Sequence, residues 1–144
     1  MPVTLTSGLF PVAQLPAAQV VSVRIFLANL ENQPHRATVE VLRLEGNRKE
    51  RIRWQQLEVP GDERVSLELS SDEVEGETIE VNVTVPVDGF GAGTFPVAPS
   101  VAVISLFTGD GTTSLLQYIA ADDFAPVSRV EREAKAALHG LSYA

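Results

Sequence analysis

A chain of 144 residues, 44% of them hydrophobic, is long enough to form one domain around its own core. It contains no cysteine, which removes disulfides, thiolate metal sites and cysteine nucleophiles together. A net charge of -8 works against nucleic acid, which is bound by placing Lys and Arg on phosphates; it suits a soluble protein, or one whose partners are neutral or basic.

Met1 to Val23 carries no charged side chain; the first is Arg24. A signal peptide needs a basic start and an unbroken apolar run, and Pro2, Pro11 and Pro16 interrupt this one. A membrane helix fails for the same reason, so no membrane insertion is expected. Residues 1–18 read as an extended arm, because proline cannot continue a helix and favours extended backbone before it. Val3, Leu5, Leu9 and Phe10 are a large apolar load for a terminus. The arm either folds back as a first strand of its own domain or adds a strand to a neighbouring subunit.

Gln19 to Asn29 alternates, with Val21, Val23, Ile25 and Leu27 on one face. Glu31-Asn32-Gln33-Pro34 is a turn. Arg36–Leu44 and Lys49–Val59 form a hairpin around Gly46-Asn47, good chemistry for a two-residue loop. That loop pairs Val41 with Ile52 and Val39 with Trp54. The apolar parity then flips at Val41-Leu42 and at Gln55-Gln56, which predicts at least one β-bulge. Val59-Pro60-Gly61-Asp62 reads as a type II turn with Gly61 at positive φ. Val65, Leu67 and Leu69 share one face of the next strand, and Ile79, Val81, Val83 and Val85 share one face of the strand after it. Between them, Ser70 to Glu77 is an acidic crossing. A calcium site is one reading of it and a solvated turn the other.

Pro86 to Pro99 is a Gly/Pro-rich run with two aromatics, Phe90 and Phe95, which predicts burial against something. Val101–Phe107 and Ser114–Ala120 form a second hairpin, apolar on both faces and including Leu116 and Tyr118. Strands of that kind are covered on both sides, so a third layer or another subunit is expected over the outer one. Ser128-Arg129-Val130-Glu131 is a capping box, and Gly140 a plausible stop for the helix it starts. Three segments result: an extended arm at 1–18, a β-sandwich at 19–125 and a capped helix at 126–144.

No residue set names a reaction. His35 and His139 are the only histidines and have no carboxylate cluster at metal-ligand spacing. The glycines at 89–93 and 109–111 are not followed by Gly-Lys-Ser/Thr, and no Gly-x-Ser-x-Gly occurs. Adjacent Asp122 and Asp123 on a strand would point to opposite faces. Asn82-Val83-Thr84 fits the N-glycosylation pattern. No cofactor, metal or small-molecule ligand is expected.

Val21-Ser22-Val23-Arg24-Ile25, Ala37-Thr38-Val39-Glu40-Val41, Leu57-Glu58-Val59-Pro60-Gly61 and Ile79-Glu80-Val81-Asn82-Val83 together resemble bacterial Ig-like surface modules of the cell-adhesion-related type. They are also similar to small Ig-like proteins of spore-forming bacteria. The resemblance implies a place at a cell or spore surface. It covers less than half the chain and transfers no binding residue.

The expected fold is all-β: an Ig-like antiparallel β-sandwich of about seven strands, with the N-terminal arm and C-terminal helix attached. The expected function is that of a non-enzymatic subunit self-assembling into a coat, fibre or ring. Its contacts would come from Val3, Leu5, Leu9, Phe10, Phe90, Phe95, Leu116 and Tyr118. The alternative is a monomeric binding module for a surface glycan or protein.

Overall fold

The computed structural model describes residues 2–16, 19–86, 95–107 and 109–127. Among them nine strands form two antiparallel sheets: β1 (Pro2–Pro11), β2 (Gln19–Asn29), β3 (His35–Glu45), β4 (Arg48–Val59), β5 (Arg64–Leu69), β6 (Thr78–Pro86), β7 (Val97–Phe107), β8 (Thr113–Ile119) and β9 (Ala125–Pro126). One four-residue helix, α1 (Ser71–Val74), joins β5 to β6. The first sheet runs β4-β3-β6-β1-β9 and the second β5-β2-β7-β8. The seven segments expected to be strands are all strands. The two additional ones are β1, from the expected arm, and β9. Pro126 therefore lies in a strand rather than opening a helix. The capping box at 128–131, the helix expected from it, His139, Gly140, the glycine run at 89–93 and Phe90 lie outside the described residues.

The core follows from period-two alternation. Val21, Val23, Ile25 and Leu27 of β2 face Val39 and Val41 of β3 and Ile79, Val81, Val83 and Val85 of β6, all buried. Each such side chain contributes about 1.5–3 kcal/mol relative to exposure. Val97, Val101 and Val103 of β7 complete the second sheet's inner face.

The expected arm is integral to the first sheet. β1 pairs with β6 from Pro2↔Pro86 to Pro11↔Thr78, and with β9 at Leu5↔Pro126. A register shift lies between Thr6 and Leu9. Gly8 takes φ 70°, and the Ser7 hydroxyl accepts the Val81 N–H at 2.9 Å in place of a strand carbonyl. One inserted residue flips the parity. Leu5, opposite Val83, and Phe10, opposite Ile79, thus both turn inward, while Leu9 points out and is exposed. Residues 12–16 continue beside the turn between α1 and β6, where Val12 donates its N–H to the Glu77 carbonyl and Leu15 to the Glu75 carboxylate.

The β3–β4 hairpin turns at Gly46-Asn47, with Glu45 opposite Arg48. Its bulge falls between Val41 and Leu42, as the parity flip requires, with Ile52 the extra residue on β4. The pairings beyond it change accordingly. Val41 faces Arg53 and Val39 faces Gln55, not Ile52 and Trp54. Trp54 faces Glu40 on the outer surface and is 50% exposed.

The turn after β4 also differs from expectation by one position. Asp62, not Gly61, takes positive φ, at 58°, and Glu63 donates its N–H to the Pro60 carbonyl. Gly61 is required for a different reason: a Cβ there would overlap the Asn32 carbonyl, against which the turn is held by the Asp62 N–H to Glu31 bond. Gly61→Ala should therefore lower stability by about 1–3 kcal/mol in denaturant unfolding. Asp62→Gly, at a position whose φ glycine adopts freely, should change it by less than about 1 kcal/mol. Equal stability of Gly61→Ala and the parent would refute the close approach.

Candidate interaction surface

Three surfaces hold the residues that sequence patterns single out: the acidic crossing, the outer face of the first sheet and the β7–β8 hairpin.

The acidic crossing folds as α1, with Val74 buried beneath it. Its carboxylates diverge. Glu73 accepts the Ser70 N–H at 3.0 Å and receives Arg53 at 2.8 Å, while Glu75 accepts the Leu15 N–H at 3.0 Å. Among the described residues no group of three His, Asp or Glu side chains is placed to hold a metal ion. The Arg53 contact is a product of the β4 bulge. Turned toward the inner side at the sheet's edge, the guanidinium reaches α1 rather than the core. The hydrogen bond from Arg53, followed by those from Ser70, holds the Glu73 carboxyl below its ordinary range.

The first sheet's outer face is polar and locally neutral. Across it run Gln56, Thr38, Thr84 and Thr4 in one row and Trp54, Glu40, Asn82 and Thr6 in the next. The hydroxyls of Thr4 and Thr84 meet at 2.7 Å, Arg51 pairs with Glu40 at 2.8 Å, and Lys49 pairs with Glu80 at 3.0 Å. The glycosylation-like Asn82 lies in the middle of the fully paired strand β6, with its amide donating to Glu80. His35 opens β3 with its ring 2.6 Å from the Glu31 carboxylate.

The β7–β8 hairpin is the apolar surface. Its turn is tied by Asp110, whose carboxylate accepts the Thr112 N–H at 3.0 Å and hydroxyl at 2.7 Å. Those bonds keep the Asp110 carboxyl below its usual range. On β7 the inner face is closed by Val97, Val101 and Val103. The outer face carries Ala102, Ile104 and Leu106. β8 adds Tyr118 opposite Ala102 and Leu115 opposite Ile104, with Leu116 the extra residue of a bulge between them. Leu115 is 62% and Tyr118 57% exposed, and Leu106, Phe107 and Leu116 are exposed beside them. The same sheet is wetted at its other side, where Arg64 covers the Phe26 ring at 4.8 Å and Arg24 lies near Glu68. Among the described residues, no third layer covers the β8 side.

Of the residues singled out in sequence, Leu116 and Tyr118 come together here. Phe10 is buried, Val3 and Leu5 are half-buried in β1, and Phe95 packs against the core, so these four do not form an outward surface. Leu9 is exposed on the other sheet. Leu106, Phe107 and Leu115 join the surface, and the signal for them was the doubly apolar pattern of both strands. Trp54 was concealed by the bulge at Ile52.

The Glu73 tie has a pH signature. A lowered carboxyl contributes stability that is complete above the ordinary Glu value of about 4.3, and that is lost as pH falls from there through the folded-state value. Glu73→Gln should therefore destabilise the protein near neutral pH by up to about 1 kcal/mol, the pair being part-exposed. The deficit should vanish toward pH 3 in denaturant titrations. A deficit that persists unchanged in acid would assign the effect to something other than this charge.

No family model matches the chain and no curated protein matches it, so its own surfaces carry the reading of its function.

Proposed function

We propose that this chain is a non-enzymatic structural subunit, built on an Ig-like β-sandwich, that self-assembles through the β7–β8 hairpin. One observation carries the reading. Of the eight large apolar side chains exposed among the described residues, five (Leu106, Phe107, Leu115, Leu116 and Tyr118) belong to that hairpin. Scattered single exposures are ordinary, but a contiguous set on one sheet margin is the mark of a contact surface. The contact is assigned to the hairpin rather than to the N-terminal arm, because β1 is already paired with β6 along its length and with β9 at Leu5 and Thr6 within its own chain. Light scattering over a hundredfold range of concentration should give a mass of two or more copies, falling toward 15.5 kDa only on dilution. A mass of one copy throughout would overturn the reading.

A second reading, a monomeric binding module for a neutral surface glycan, is favoured by Trp54. This is the chain's single tryptophan, exposed on a face of threonine, glutamine and paired charges. Such a face offers a flat ring and hydroxyl partners but no net field for a charged polymer. Because no other tryptophan contributes, adding a soluble neutral glucan should shift or quench the emission of Trp54 directly. Emission that stays constant up to millimolar sugar would remove this reading.

A further inference from the structure

A sheet edge presents unpaired N–H and C=O groups to any strand that can reach them, and folded proteins blunt such edges with charge, proline or shortness. The four outermost strands differ sharply in this respect. β4 carries Arg48, Lys49, Glu50, Arg51, Arg53 and Glu58. β5 is six residues long and bears Arg64 and Glu68. β9 is two residues and ends in Pro126. β8, Thr113-Ser114-Leu115-Leu116-Gln117-Tyr118-Ile119, has no charge and no proline. A bulge is its one irregularity. We propose that β8 is the seam between two copies of this chain. The strand of one copy pairs antiparallel with β8 of the other about a two-fold axis between Leu116 and Gln117, making one continuous eight-stranded sheet. The inference rests on the self-assembly reading and specifies its geometry.

Charge argues for a second copy as the occupant. Each chain carries -8, so copies repel wherever acidic surfaces meet, and among the four outermost strands described β8 is the longest at which they can meet with no charge opposed. A two-fold pairing is also self-complementary by construction.

Parity and the burial of exposed apolar side chains together select the register. Thr113 and Leu115 face outward, opposite Leu106 and Ile104, while Ser114 faces inward opposite Ser105. Beyond the bulge the sense reverses: Gln117 faces inward opposite Val103, and Tyr118 faces outward opposite Ala102. Directly opposed residues in an antiparallel pair share a face. An axis through a residue, such as Leu116, would set inward Ser114 against outward Tyr118, and is therefore disfavoured. An axis between residues restores the match, because the bulge compensates for the odd offset. Placed between Leu116 and Gln117, it sets Leu115 against the second copy's Tyr118 on the outer face, twice, and Ser114 against Ile119 on the inner face. The two most exposed apolar side chains of the hairpin then cover one another.

The chain has no cysteine, so single-cysteine variants at positions 113–119 report the geometry without background. Mild oxidation should cross-link L116C and Q117C most, with yield falling toward T113C and I119C. In parallel, L116K places two ammonium groups beside the axis at an exposed position. It should convert the parent's two-copy mass to one copy while leaving its far-ultraviolet circular dichroism unchanged. A folded L116K protein that stays oligomeric would overturn the β8 seam but leave self-assembly standing. Cross-linking that peaks away from 116 and 117 would overturn the register. A parent protein of single-copy mass at every concentration would overturn both the seam and the reading beneath it, and would direct attention to residues 128–144 or another protein as the cover.

Discussion

A β-strand has two faces, and one inserted residue exchanges them for everything beyond it. That constraint governs this molecule. Three register shifts, in β1 between Thr6 and Leu9, in the β3–β4 hairpin at Val41/Leu42, and in the β7–β8 hairpin at Val103/Ile104, decide which side chains enter the core and which remain for other purposes. The first delivers Leu5 and Phe10 to the interior from positions of opposite parity. The second sends Trp54 out to solvent and brings Arg53 round to Glu73. The third presents Leu115 and Tyr118 together on the outer face.

Strands that keep one parity were legible from sequence. β2 runs from Gln19 to Asn29 as its alternation required, and Ile79, Val81, Val83 and Val85 line the inner face of β6. The Gly46-Asn47 loop and the presence of a bulge in the β3–β4 hairpin were also legible, because a flip in apolar pattern leaves a trace in the sequence. The bulge in β1 left none. Thr6-Ser7-Gly8 could as well have been a turn, and what fixes it is the Ser7 hydroxyl bonding to Val81, more than seventy residues away. The same distance problem hid Gly61, whose small size answers to Asn32 rather than to its own turn. Trp54 was legible as a strand residue but not as a surface one. Alternation running from the hairpin tip puts Trp54 opposite Val39, and the extra residue at Ile52 shifts it to Glu40 on the outer face.

The two sheets divide the surface by character. The first sheet's outer face is a polar field in which charges are matched in pairs, Arg51 with Glu40 and Lys49 with Glu80. The second sheet changes across its width, from the Arg64-covered Phe26 beside β5 to the bare leucines of β8. In a strongly acidic chain, an uncharged margin of this kind is a place where like charges do not meet.

The bond between the hydroxyls of Thr4 and Thr84 joins positions eighty apart in sequence. During synthesis β1 leaves the ribosome first, yet its partner β6 is made several seconds later, on the order of 4–15 s at typical elongation rates. Through that interval a greasy, uncharged ribbon has no native neighbour. Long-range pairing of this kind slows folding, because the intervening loop must close before the contact returns anything. Until β6 exists, β1 is thus left open to aggregation.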